Sequence, residues 1–95
     1  MSDINRTYRE IATRAKRHHA KKVLLFGSRA RGTNAPKSDI DIAVQGCEDF
    51  DGLADELQEE LWSLLQLDII NLDENISPEL RYEIERDGVV LYEAL

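Results

Sequence analysis

The sequence has a single cysteine, Cys47, so no internal disulfide can form and the fold must hold without a covalent staple. Long apolar runs are missing too. The longest stretch without a charged side chain is Leu61–Leu67, whereas a membrane helix needs about 20 apolar residues. Two prolines and five glycines are scattered along 95 residues and gather into no linker, and no internal repeat or low-complexity tract is found. No basic-then-apolar leader opens the chain, so a reducing, cytoplasmic setting without membrane association is expected. Basic residues are nearly absent from positions 38–95, where Arg81 and Arg86 face seventeen acids. Positions 1–37 reverse this, with ten lysines and arginines against two acids. A net charge of −7 argues against direct nucleic-acid binding, because affinity for a polyanion comes mostly from neutralised phosphates. The basic first third still suits a small polyanion; the plainer alternative is two solvated helix faces of opposite sign.

What is present is 42% apolar residues, enough for one thin core, and a single domain over 1–95 is expected. Residues 3–18 put Ile4, Tyr8, Ile11, Ala12 and Ala15 on one helical stripe, with Ser2 or Asp3 as N-cap. Lys22–Phe26 reads as a short strand stopped by Gly27, and residues 28–32 as a tight helical turn. Asp39–Gln45 alternates acids with aliphatic residues, a strand signature. Residues 52–66 predict a helix with Leu53, Leu57, Leu61, Leu64 and Leu65 on one face, capped by Asp51. Leu67–Leu72 is a third strand. Ser77-Pro78 opens a short helix that Asp87-Gly88 closes, and Val89–Tyr92 is a final strand. This alternation predicts an α/β domain: a small mixed sheet with helices packed against it.

The chemistry concentrates between residues 26 and 42. Gly27-Ser28, directly after an apolar strand and at the start of a helical turn, offers free backbone N–H groups and a hydroxyl to phosphate oxygens. It is neither a Walker loop nor a dinucleotide fingerprint. Asp39 and Asp41, two apart on a strand, share a face at a Cα spacing of about 6.7 Å. Adjacent carboxylates repel, and a hard divalent cation such as Mg²⁺ removes that repulsion. An exposed edge strand carrying solubilising acids is the alternative. Asp68 lies inside the aliphatic run Leu67–Leu72, where a carboxylate is costly unless paired or metal-bound. Three such acids on neighbouring strands could hold two cations, or one cation and a base, for in-line attack on phosphorus. Arg29, Arg31 and Lys37 beside the motif could neutralise phosphate charge or serve as solvated loop charges. His18-His19 reads as a fraying helix end, Cys47 as inert, and Trp62 and Tyr82 as core or partner-facing aromatics.

Gly27-Ser28, ten intervening residues, then Asp39-Ile40-Asp41 resembles the signature of the polymerase-beta-like nucleotidyltransferase superfamily. The length, the opening Gly27-Ser28-Arg29-Ala30-Arg31-Gly32 and the ending Gly88-Val89-Val90-Leu91-Tyr92 look like its minimal nucleotidyltransferase branch. The resemblance implies the nucleotidyltransferase fold, with Asp39 and Asp41 as ligands of two Mg²⁺ ions. Asp68 would be the third acid, helping to bind metal and activating an acceptor hydroxyl; Gly27 and Ser28 would hold the β and γ phosphates of ATP. It further implies a HEPN-domain partner, with this chain as the antitoxin that moves AMP from ATP to a tyrosine of the toxin. A chain this short is expected to need another protein, or a dimer mate, to present the acceptor. A non-catalytic nucleotide-binding subunit that neutralises its partner by contact, and a metal-dependent phosphohydrolase, are the rival readings.

Overall fold

The computed structural model describes residues 4–61 and 65–95. The elements run α1 (Ile4–Arg17), β1 (Lys22–Phe26), α2 (Ser28–Arg31), β2 (Ile40–Gln45), α3 (Phe50–Glu60), β3 (Leu67–Asn71), α4 (Pro78–Asp87) and β4 (Val89–Glu93). The sheet order is β3-β2-β1-β4. β1 pairs antiparallel with both β2 and β4, while β2 and β3 are parallel, so the sheet is mixed as the sequence predicts. The parallel pair needs a crossover, and α3 supplies it.

Strand alternation sends side chains to two separate cores. Val23 and Leu25 of β1 and Ile40, Ile42 and Val44 of β2 point to one face, where they meet Ile11 and Ala15 of α1 and Leu53 and Leu57 of α3. Phe26, Ala43 and Ile84 of α4 form the other core, with Leu24, Ile70 and Leu80 packed against them. Asp41 and Asp68 stand two residues from Ala43 and Ile70 on their strands and so lie on the α4 face. Among the described residues, no helix is long and apolar enough to cross a membrane.

Three expectations are corrected here. α3 begins at Phe50 and is capped by Asp49, whose carboxylate accepts from the Gly52 N–H at 3.3 Å; Asp51 lies inside the first turn. The helix also stops at Glu60, with Leu61 already extended but still buried. No glycine or proline marks that end, which is why periodicity alone overran it. Leu64, Trp62 and the proposed caps Ser2 and Asp3 lie outside the described residues. Third, the end of α1 is not frayed. The Ala20 N–H reaches the Ala15 carbonyl (3.0 Å) and the His19 N–H the Lys16 carbonyl (3.1 Å), with His19 at φ 60. This is a Schellman-type stop with histidine in the left-handed position.

His18 is held by carboxylates on both sides of its ring. Nδ1 lies 2.9 Å from Asp49 and Nε2 3.1 Å from Glu56. Glu56 also accepts from Arg14 (2.8 Å) and Arg17 (3.1 Å), so one acid of α3 gathers the basic end of α1. Arg14 and Arg17, two of the ten basic residues of the first third, thus help to dock α1 on α3. Hydrogen bonds to Glu56 and then Asp49 raise the His18 pKa above its ordinary 6.5. A raised histidine stabilises the fold fully below about pH 6.5, and that contribution fades as pH rises through the folded-state value. His18→Asn should therefore lower Tm by a few degrees at about pH 6. The gap between variant and wild type should close in thermal melts carried upward through neutral into alkaline pH.

Candidate active site

β1 ends at Phe26, and Gly27 turns the chain at φ 74 into the single helical turn of α2. The first N–H groups of such a turn have no partner within the helix, and Gly27 at the N-cap has no side chain to accept from them. Gly32 closes the turn in the left-handed conformation. The sequence gives Gly27 one role, close approach of backbone to phosphate. The structure adds another, because a Cβ there would collide with the Asp41 carboxylate. The acid therefore lies directly over the phosphate-candidate turn. Phe26 is also the register partner of Asp41 across β1 and β2.

The closest acidic pair is not the one spacing suggests. β2 starts at Ile40, so Asp39 sits just before the strand and is exposed. Asp41 is instead the register partner of Asp68 on parallel β3, with strands about 4.8 Å apart. Both carboxylates are half-buried and face α4. Burial first, then the charge of Asp68, its hydrogen bonding, and the charges of Asp39 and Glu83 push the Asp41 pKa from 3.8 to about 6. Gln66 donates to Asp68 Oδ1 at 3.3 Å and steadies that neighbour.

Glu83 is a fourth acid that sequence reasoning missed. It lies on α4, and its carboxylate accepts from Arg31 at 3.0 Å, with Asp87 3.9 Å from the same nitrogen. The register of Leu80 and Ile84 puts Glu83 on a flank of α4, but nothing in the sequence says that this flank faces β2. Arg31 is thus tied to α4 beside the acids. Arg29 is turned elsewhere: its guanidinium donates to the carbonyls of Pro36 and Ser38 rather than pointing into open space over Ser28.

The donor set consists of carboxylate oxygens, the preference of a hard cation. Burial, and after it the charge of Asp68, raise the Asp41 pKa, a cost to the ionised acid that a cation would relieve. Among the described residues no three ligating side chains form a ready-made cage. That is compatible with Mg²⁺, which keeps several waters and uses one or two carboxylates plus substrate phosphates. The residues fit the ion. Buried Cys47 lies apart, its thiol 3.4 Å from the His18 carbonyl and pushed up in pKa by burial. Tyr82 is 63% exposed, with Arg86 5.5 Å over its ring, so it is no core residue.

A helical turn with open N–H groups thus lies against Asp41, which is itself paired with Asp68, on a mixed sheet. The family "Polymerase beta, Nucleotidyltransferase" matches residues 9–94, and the chain belongs to it. A proposed protein adenylyltransferase of Methanocaldococcus jannaschii is 34% identical over 82 residues, covering 80% of this chain and 82% of that one. A chain in the crystal structure of a toxin–antitoxin with AMP-PNP superposes with a TM-score of 0.71 at 26% identity, covering 92% of this chain and 73% of that chain. A further match is to a chain from the tri-AMPylated Shewanella oneidensis HEPN toxin in complex with its MNT antitoxin. There the TM-score is 0.64 at 23% identity, over 93% of this chain and 71% of the other, a likeness of fold. The protein is a nucleotidyltransferase of the polymerase beta fold, as its motif implies.

Asp41→Asn tests the cost of the acid pair. Because the folded-state pKa is raised, ionised Asp41 destabilises the fold, and the penalty grows as pH rises from about 4 through 6. In metal-free thermal melts the variant should match wild type near pH 4 and exceed its Tm by a few degrees at pH 7. A large loss of stability would mean that Asp41 is structural.

Proposed function

We propose that this chain, acting in the cytoplasm as one nucleotidyltransferase domain over residues 1–95, transfers AMP from ATP to a tyrosine hydroxyl of a HEPN toxin and so serves as its antitoxin. The observation that carries this reading is Asp41, register partner of Asp68, lying against Gly27 of the Gly27-Ser28 turn. Similarity to a proposed protein adenylyltransferase supports the reaction class, and similarity to a toxin–antitoxin chain solved with AMP-PNP supports the nucleotide and the setting.

The backbone N–H groups of the turn and the Ser28 hydroxyl donate to the β and γ phosphates. Asp39, Asp41 and Asp68 would hold Mg²⁺, which supplies positive charge against the triphosphate and the departing pyrophosphate. Asp68 takes the proton of the acceptor hydroxyl at a carboxylate oxygen, and Gln66 holds that carboxylate in place. The acceptor oxygen then bonds to the α-phosphorus as the bond to the bridging oxygen breaks, and pyrophosphate leaves. Arg31 of the same turn, held by Glu83 in this structure, offsets phosphate charge. Alignment of the acceptor supplies much of the rate, and docking of the toxin provides it.

Intact mass of the co-expressed partner after incubation with ATP and Mg²⁺ tests this directly. A gain of one or more adenylyl groups is expected, lost in Asp41→Asn and in a toxin lacking its target tyrosine. Neutralisation that persists without added mass when Asp39, Asp41 and Asp68 are all replaced would favour a non-catalytic binding subunit.

A further inference from the structure

Arg29 occupies a position that its sequence context does not explain. It sits in α2, one residue after Ser28, where a phosphate ligand is expected, yet all three of its recorded hydrogen bonds go to the loop before β2. Nε and one terminal nitrogen both donate to the Ser38 carbonyl (3.1 and 3.0 Å), and a terminal nitrogen also donates to the Pro36 carbonyl (3.1 Å). The Ser38 carbonyl belongs to the peptide plane that leads into Asp39. On the far side of Asp39, the Ile40 N–H is anchored on the Gln66 carbonyl at 2.9 Å. Exposed Asp39 is therefore fixed through the backbone on both sides, by Arg29 behind it and by the edge of β3 ahead of it.

The loop has few other means of holding its shape. Ala35, Pro36 and Lys37 are exposed and pack into neither core. Its internal bonds are short-range: Ser38 N–H to the Ala35 carbonyl (3.1 Å) and Ala35 N–H to the Ser38 hydroxyl (2.9 Å). These shape the turn but do not orient it relative to α2. The Thr33 N–H, bonded to the Ser28 carbonyl at 3.0 Å, ties only the near end. A planar guanidinium that forks onto two carbonyls fixes both distance and orientation, which a lysine ammonium cannot reproduce.

We propose that Arg29 is a positioning residue that locks the Asp39 end of the acid cluster to the Gly27-Ser28 turn, so that phosphate and metal ligands are set relative to each other before substrate arrives. The proposal rests on the reading of Asp39 as a metal ligand and of Gly27-Ser28 as the phosphate turn. It replaces the expectation that Arg29 itself binds phosphate.

The test uses the full chain with Arg29→Ala and the milder Arg29→Lys, which keeps the question open if the alanine variant does not fold. Amide hydrogen exchange without metal reports the loop; calorimetry with Mn²⁺ and a non-hydrolysable ATP analogue reports the site. In Arg29→Ala, exchange at Thr33, Ala35 and Ser38 should quicken about tenfold while β1 and β2 stay protected. Mn²⁺ binding should weaken about tenfold, with analogue affinity at saturating Mn²⁺ close to wild type. Arg29→Lys should fall between. Unchanged loop exchange would overturn the proposal. So would a loss of analogue affinity at saturating Mn²⁺ with the loop still protected, since that marks a phosphate ligand. Asp39→Asn with wild-type Mn²⁺ binding would instead remove the metal reading of Asp39, and loop exchange would still decide whether Arg29 holds the loop.

Discussion

The arrangement of this protein turns on one repulsion: the carboxylates of Asp41 and Asp68, side by side on parallel strands and half-buried against α4. Neither acid can move far. Ile40 and Ile42 on either side of Asp41 in sequence are fully buried, and Leu67 and Ile69 flank Asp68 in the same core. Moving either strand by one residue would turn its aliphatic set out of the core, so apolar burial enforces the acidic contact. Burial first and the charge of Asp68 second hold the Asp41 pKa at about 6.

The rest of the chain can be read as support for it. Gly27 leaves room for the Asp41 carboxylate where any side chain would collide. α4 brings Glu83 up to the pair, and Arg31 of α2 balances that acid. On the far face of the sheet, Arg14, Arg17 and His18 meet Glu56, so the charge asymmetry along the sequence becomes an interhelical clasp away from the site. Arg14 and Arg17 are thereby kept from the acids on the α4 face, where a cation and a triphosphate have charge to offset.

Much of this was legible in the sequence because it is local. The strand Lys22–Phe26, the third strand (read as Leu67–Leu72 and one residue shorter in the fold), the Ser77 cap of α4 and the Gly27-Ser28 turn follow from short-range pattern and chemistry. The Asp-x-Asp spacing identified the acids but suggested Asp39–Asp41 as the close pair. The pairing that forms, Asp41 with Asp68, depends on the register of two strands joined by α3, which no local signal encodes. The same holds for Glu83 and for Arg29, whose partners are set by how α4 and the loop before β2 fold back. The end of α3 escaped for another reason: Leu61 continues the apolar stripe beyond the helix and stays buried in extended conformation.

The most direct measurement is the titration of the Asp41 side-chain carboxyl by NMR, without metal and again with Mg²⁺ and a non-hydrolysable ATP analogue. The account predicts an apparent pKa near 6 without metal, lowered by Asp68→Asn and brought into or below the ordinary carboxylate range when metal and nucleotide are present. An ordinary value without metal, unmoved by Asp68→Asn or by Mg²⁺ and nucleotide, would contradict it.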